Sequence, residues 1–117
     1  MKRVDPETAY EMLWNDLIAL YREVSGVDPD EPESDETSRI ARRFLNEIRL
    51  GRRQGKLVGA VDRLMRESAY GAVLNDARRP DALLETRIVL APKPYAFLWP
   101  QATLDLAHRR ARRFGRR

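Results

Sequence analysis

Catalysis at a protein site needs a positioned acid, base, nucleophile or metal ligand. This chain of 117 residues offers few, with no cysteine and a single histidine. His108 lies between Ala107 and Arg109, where no Ser, Cys or second metal ligand stands at a useful spacing. The acids beyond residue 37 (Glu47, Asp62, Glu67, Asp76, Asp81, Glu85 and Asp105) are scattered. Most read as helix-surface partners of basic residues three or four positions away, as in Asp62 and Arg66. The expectation is a non-enzymatic protein with no cofactor and no metal.

One stretch looks like phosphate chemistry. "GRRQGKLVG" places Gly51, Gly55 and Gly59 four apart. A P-loop needs four residues between its first glycine and Gly-Lys, then Ser or Thr after the lysine. Here three residues intervene and Leu57 stands in the hydroxyl's place, so nucleotide hydrolysis is rejected. The acidic stretch "VDPDEPESDE" lacks the loop glycine and terminal glutamate of a calcium loop. It reads as a solvated connection over residues 28–36, or as a nucleic-acid mimic or lid over a basic face.

Binding chemistry is better represented. Residues 1–37 carry eleven acids and three bases, whereas residues 38–117 carry nineteen bases and seven acids. That asymmetry points to an anionic partner. Of the 22 bases only Lys2, Lys56 and Lys93 are lysine, and the planar fork of arginine suits bidentate phosphate contacts. Arg39, Arg42, Arg43, Arg49, Arg52, Arg53, Lys56, Arg63 and Arg66 fall on two consecutive predicted helices. Arg109, Arg110, Arg112 and Arg113 supply a further basic surface near the C-terminus. These thirteen are the candidate nucleic-acid-binding residues. No helix-turn-helix pattern and no zinc-finger spacing accompanies them, so contacts to phosphate rather than to base edges are expected.

Helices must position these cations. In the first, Asp5 is the N-cap, Pro6 opens the helix, and Gly26 ends it. Tyr10, Leu13, Trp14, Leu17, Ile18, Tyr21 and Val24 make its apolar stripe, with Trp14 taken as core. The second helix is predicted from about Thr37 to Leu50, buried through Ile40, Ala41, Phe44, Leu45 and Ile48, with Gly51 as its C′ residue. The third spans roughly 54–69 with Leu57, Val58, Val61, Leu64, Met65 and Ala69 inward. Gly59 lies off that stripe, a bare spot for an anionic backbone or a neighbouring helix.

Residues 70–100 are less regular. Short helices are expected over 72–78 and 81–86, and "TRIVLA" reads as extended chain or a helix end, because a lone strand has no partner here. Pro92, Pro94 and Pro100 impose an irregular path, and Tyr95, Phe97, Leu98 and Trp99 form an aromatic knot. The knot either covers one end of the core or offers a base-stacking platform. A last helix begins near Pro100 and runs to about Arg113, anchored through Ala111 and Phe114, with residues 114–117 as a basic tail.

The chain is expected to form one all-α domain over residues 1–117, a compact bundle of four to five helices with an irregular Pro/aromatic segment before the last. No apolar run approaches the roughly 20 residues that span a bilayer, and no apolar leader follows the charged start. With cysteine absent, a cytoplasmic home is expected.

"TSRIARRFLNEIR" is similar to the Thr-Ser and basic-helix segment of the small subunits of type III CRISPR effector complexes. "GKLVGAVDRLMRESAYG" resembles an amphipathic helix near the C-terminus of some type I large subunits, a region that can be made separately as a small subunit. Together these stretches cover about 30 of the 117 residues. The order of motifs differs, since "APKPYAF" follows the basic helix by some forty residues and the acidic stretch has no counterpart. The resemblance implies a non-catalytic subunit of an antiviral ribonucleoprotein. It further implies that Arg39, Arg42, Arg43, Arg63 and Arg66 touch RNA or single-stranded DNA and that other subunits or copies are protein partners. The alternative is a helical protein-interaction module, such as a phage accessory or death-like adaptor domain, associating through its acidic and basic regions.

Overall fold

The computed structural model describes residues 4–26, 28–30, 39–67 and 84–114, with the backbone alone for positions 24, 39–41 and 114. The architecture is all-α, and among the described residues there is no strand. None of the described helices is long and apolar enough to cross a membrane.

Helix α1, Pro6–Ser25, begins and ends where local chemistry requires. The Asp5 carboxylate accepts from the Thr8 amide at 3.0 Å and from the Thr8 hydroxyl at 2.8 Å. Both bonds favour the charged form and hold Asp5 below the usual carboxylate range. At the other end Gly26 is left-handed, with φ 72°, and its N–H donates to the Arg22 carbonyl at 2.9 Å. The buried face is Ala9, Leu13, Leu17, Ile18, Leu20 and Tyr21. Two members of the predicted stripe stand apart from it. Tyr10 is 40% exposed, and Trp14 is only half-buried.

Helices α2, Arg39–Arg53, and α3, Leu57–Glu67, form an antiparallel hairpin whose turn corrects the sequence reading. Gly51 is not a C′ residue. It is buried within α2, where a Cβ would come 2.7 Å from the Ala60 Cβ and 3.2 Å from the Lys56 carbonyl oxygen. The missing side chain lets the two helices approach. Gly55, with φ 67°, takes the C′ role instead. Its N–H donates to the Arg52 carbonyl at 3.2 Å and the Lys56 N–H to the Gly51 carbonyl at 2.7 Å, the paired bonds of a Schellman ending. Helix α2 therefore runs three residues beyond Leu50, and α3 starts at Leu57 rather than 54. Phe44, Leu45 and Ile48 face Leu57, Val61, Leu64 and Met65 in a common core. Glu47–Arg63, at 3.4 Å, and Arg43–Glu67 bridge the pair on its outer seam.

The C-terminal segment packs across this hairpin and α1. Leu84 enters a π-helical turn, Glu85–Val89, closed by the Leu90 N–H donating to the Glu85 carbonyl at 2.8 Å. A helix end is thus what "TRIVLA" becomes. Beyond it a 3₁₀ turn, Ala96–Leu98, leads to α4, Gln101–Phe114. Of the two readings of the aromatic segment, burial supports the core cover. Tyr95 and Trp99 are buried edge-to-face with ring centroids 6.5 Å apart, and Phe97 and Leu98 pack partly against the same core. The Tyr95 hydroxyl donates to Asp16 Oδ2 at 2.6 Å, and Lys93 Nζ lies 3.3 Å from the same oxygen. Burial, then this bond to a carboxylate, pushes the Tyr95 phenol well above its usual range. Thr103 and Ala107 are buried on α4, with the Thr103 hydroxyl donating to Asp62 at 2.8 Å. The helix expected over 72–78, most of the acidic stretch and the tail beyond Phe114 lie outside the described residues.

Candidate nucleic-acid interface

The predicted cations fall into three structural groups. The first lies on the α2–α3 seam. Arg43 pairs with Glu67, Arg63 with Glu47, and Arg66 with Asp62 at 2.6 Å. The Asp62 hydrogen bond and charge hold the Arg66 guanidinium still more firmly protonated than an ordinary arginine. These three cations are exposed, yet each is already neutralised by an acid of the same hairpin. Arg42 is half-buried beside them, and the Arg39 side chain lies outside the described residues.

The second group surrounds the C-terminal end of α2. Arg49 donates through Nη2 to the Pro29 carbonyl at 2.5 Å. Arg52 lies with its guanidinium carbon 4.5 Å from the centroid of the Trp14 ring, and its Nη2 meets Glu11 at 3.0 Å. A cation over an indole face is attracted by the ring quadrupole. Arg53 and Lys56 are exposed and have no ion-pair partner among the described residues.

The third group is on α4 and divides. Arg109, Arg112 and Arg113 are exposed. Arg110 departs from the sequence expectation: its side chain is 12% exposed and its Nε donates to the fully buried Glu85 at 3.0 Å. It anchors α4 on the π-helical turn rather than facing a ligand. His108 stands exposed on α4. Among the described residues no three His, Asp or Glu side chains come together to hold a metal ion.

Ion pairs to α1 locate the second and third groups. Arg52 sits opposite Glu11, early in α1. Arg110 sits on the turn whose Arg87 pairs with Glu23, late in α1, at 2.8 Å. Along α1 these two anchor points are twelve helical residues apart, a rise of about 18 Å.

The second group borders a concave groove. Trp14 from α1 and Asn46, Arg49, Leu50, Arg52 and Arg53 from α2 line a groove of about 580 Å³. Three arginines, one indole and one amide face it, and none of these six residues is an acid. Trp14 also borders two adjoining depressions, one with Tyr10, Glu11 and Gly55, the other with Arg22, Pro29 and Asp30. Tyr10 is exposed there, beside the Gly55 turn. The arginines of this groove are legible in the sequence, which assigns Trp14 to the core and marks neither Asn46 nor Leu50; the structure places the half-buried Trp14 ring on the groove instead. The available signal was the position of Trp14 near the edge of the α1 apolar arc, where a large ring stands at a rim.

Comparisons with protein families, with curated proteins and with solved structures give no match for this chain.

Proposed function

We propose that this chain is a non-catalytic helical protein that binds the phosphate backbone of single-stranded RNA or DNA in the groove between α1 and α2. The observation that carries this reading is the groove's composition: Arg49, Arg52 and Arg53 converge with Trp14 on a concave surface that no acid among the described residues lines. Phosphate contacts from guanidinium forks supply affinity and register without reading sequence. The exposed Arg109 and Arg112 of α4 form a second anionic contact, suited to a strand that passes over more than one face. A cytoplasmic ribonucleoprotein of the CRISPR effector kind, with other subunits as neighbours, is the setting this reading favours.

The rival arrangement, in which the acidic region of one copy attracts the basic region of another, loses part of its driving force within a single chain. Glu11, Glu23 and Asp28 of the acidic region already pair with Arg52, Arg87 and Arg22.

Fluorescence anisotropy of a labelled single strand, titrated with protein at several salt concentrations, tests the proposal. For the two phosphate contacts of Arg49 and Arg53 log K falls with log salt at a slope of about −1.4. Arg49→Ala and Arg53→Ala each flatten that slope by about 0.7. A salt-independent affinity, or no binding at low salt, overturns the proposal.

A further inference from the structure

We infer that the groove takes a nucleobase as well as a phosphate, with one base stacked on the outer face of the Arg52 guanidinium, completing a base–guanidinium–indole sandwich on Trp14. This rests on the backbone-binding reading and names what that site recognises besides charge. Arg52 is held before any ligand arrives: its guanidinium carbon lies over the Trp14 ring, 4.5 Å from the centroid, and its Nη2 meets Glu11. A second carboxylate or phosphate gains little at an edge already facing a carboxylate. Arg52 also lines the groove, where its planar, delocalised cation favours the π-face of a planar ring.

The surroundings select the same occupant. Leu50 gives the groove an apolar floor, and the Asn46 amide supplies one donor and one acceptor for a base edge. Arg49 and Arg53, from the same helix, line the groove beside Arg52 and supply the cations for phosphates of the strand. An acidic peptide would use the arginines and leave the stacking face empty. A duplex would keep its bases stacked on each other. The chemistry therefore points to an unpaired nucleotide within a strand, and to selectivity for single over double strands.

The test compares a short oligothymidylate, an abasic strand of equal length and charge, and the corresponding duplex, each titrated into the full chain. The base-containing single strand binds about tenfold more tightly than the abasic strand and quenches tryptophan fluorescence, since stacking contributes strongly for each base. Trp99 is 5% exposed and supplies a constant background, so the quench reports Trp14. Arg52→Lys keeps the charge and loses the flat face, so the tenfold preference collapses towards unity while the salt slope stays. Equal binding of base-containing and abasic strands without quenching overturns the stacking inference and leaves the backbone reading standing. So does a duplex bound as tightly as the single strand, or a preference unchanged in Arg52→Lys. Failure of every strand to bind at low salt overturns both.

Discussion

Glu85 and Arg110, twenty-five residues apart, meet inside the protein: the carboxylate is fully buried and accepts from the guanidinium Nε at 3.0 Å. This pair fixes α4 to the π-helical turn. Arg110→Ala leaves a buried carboxylate without that partner, a change that costs about 3–5 kcal/mol. Replacing both groups with apolar residues of similar volume is expected to be near neutral by the same reasoning, because both desolvation costs vanish together. Urea unfolding midpoints for the single and double variants check this, and equal losses in the two would contradict it.

Gly51 and Ala60 set the closeness of the α2–α3 hairpin. Helix propensity alone favours alanine over glycine at position 51 by about 1 kcal/mol. The Cβ placed there would sit 2.7 Å from another Cβ, and such overpacking costs about 1–3 kcal/mol. The clash wins, so Gly51→Ala destabilises. Adding Ala60→Gly recovers part of the loss, a coupling that a double-mutant cycle reads directly. Additive losses would show that the two positions do not touch.

The buried Tyr95 hydroxyl, bonded to Asp16, gives stability an alkaline limit. Its phenol is raised in the folded state by burial and by the carboxylate. The folded form therefore holds its proton more tightly than the unfolded form, whose tyrosine ionises near pH 10. The contribution is complete below about pH 10 and falls as pH rises above it, by up to about 1.4 kcal/mol per pH unit. Tyr95→Phe removes this component. Thermal melts of both proteins across the alkaline range should converge as pH rises, and parallel curves would rule the linkage out.

Paired and unpaired arginines should behave differently towards nucleic acid. Arg43 faces Glu67 across the exposed seam, whereas Arg53 has no acidic partner among the described residues. An exposed ion pair contributes about 0–1 kcal/mol, so Arg43→Ala changes stability little. It also removes a cation whose field Glu67 already offsets. Arg53→Ala is expected to weaken strand binding severalfold, and Arg43→Ala less than about twofold. Equal effects in an anisotropy titration would mean that internal pairing does not govern which cations are available.

Local signals along the chain settled a large part of the architecture. The Asp5 cap, the Pro6 start and the Gly26 ending lie within one helix and depend on neighbours a few residues away, and all three occur as read. The apolar residues of α2 and α3 at positions 44, 45, 48, 57, 61, 64 and 65 are buried for the same reason, since helical period alone fixes which face is greasy. The glycines were harder. Gly51 and Gly55 are equally plausible endings in one dimension, and only the approach of Ala60 decides which one must lack a side chain.

The sequence by itself determined that this protein is helical and rich in arginine, with a single histidine and no cysteine. Tertiary structure decided what each arginine faces. Arg110 is drawn inward by a carboxylate twenty-five residues away, Arg43 and Arg63 are matched with acids of the adjoining helix, and Arg52 is laid on Trp14. The physical reason is that helical period reports which side of a helix is apolar over a few turns, whereas a charge is neutralised, buried or left open by whatever long-range packing brings beside it.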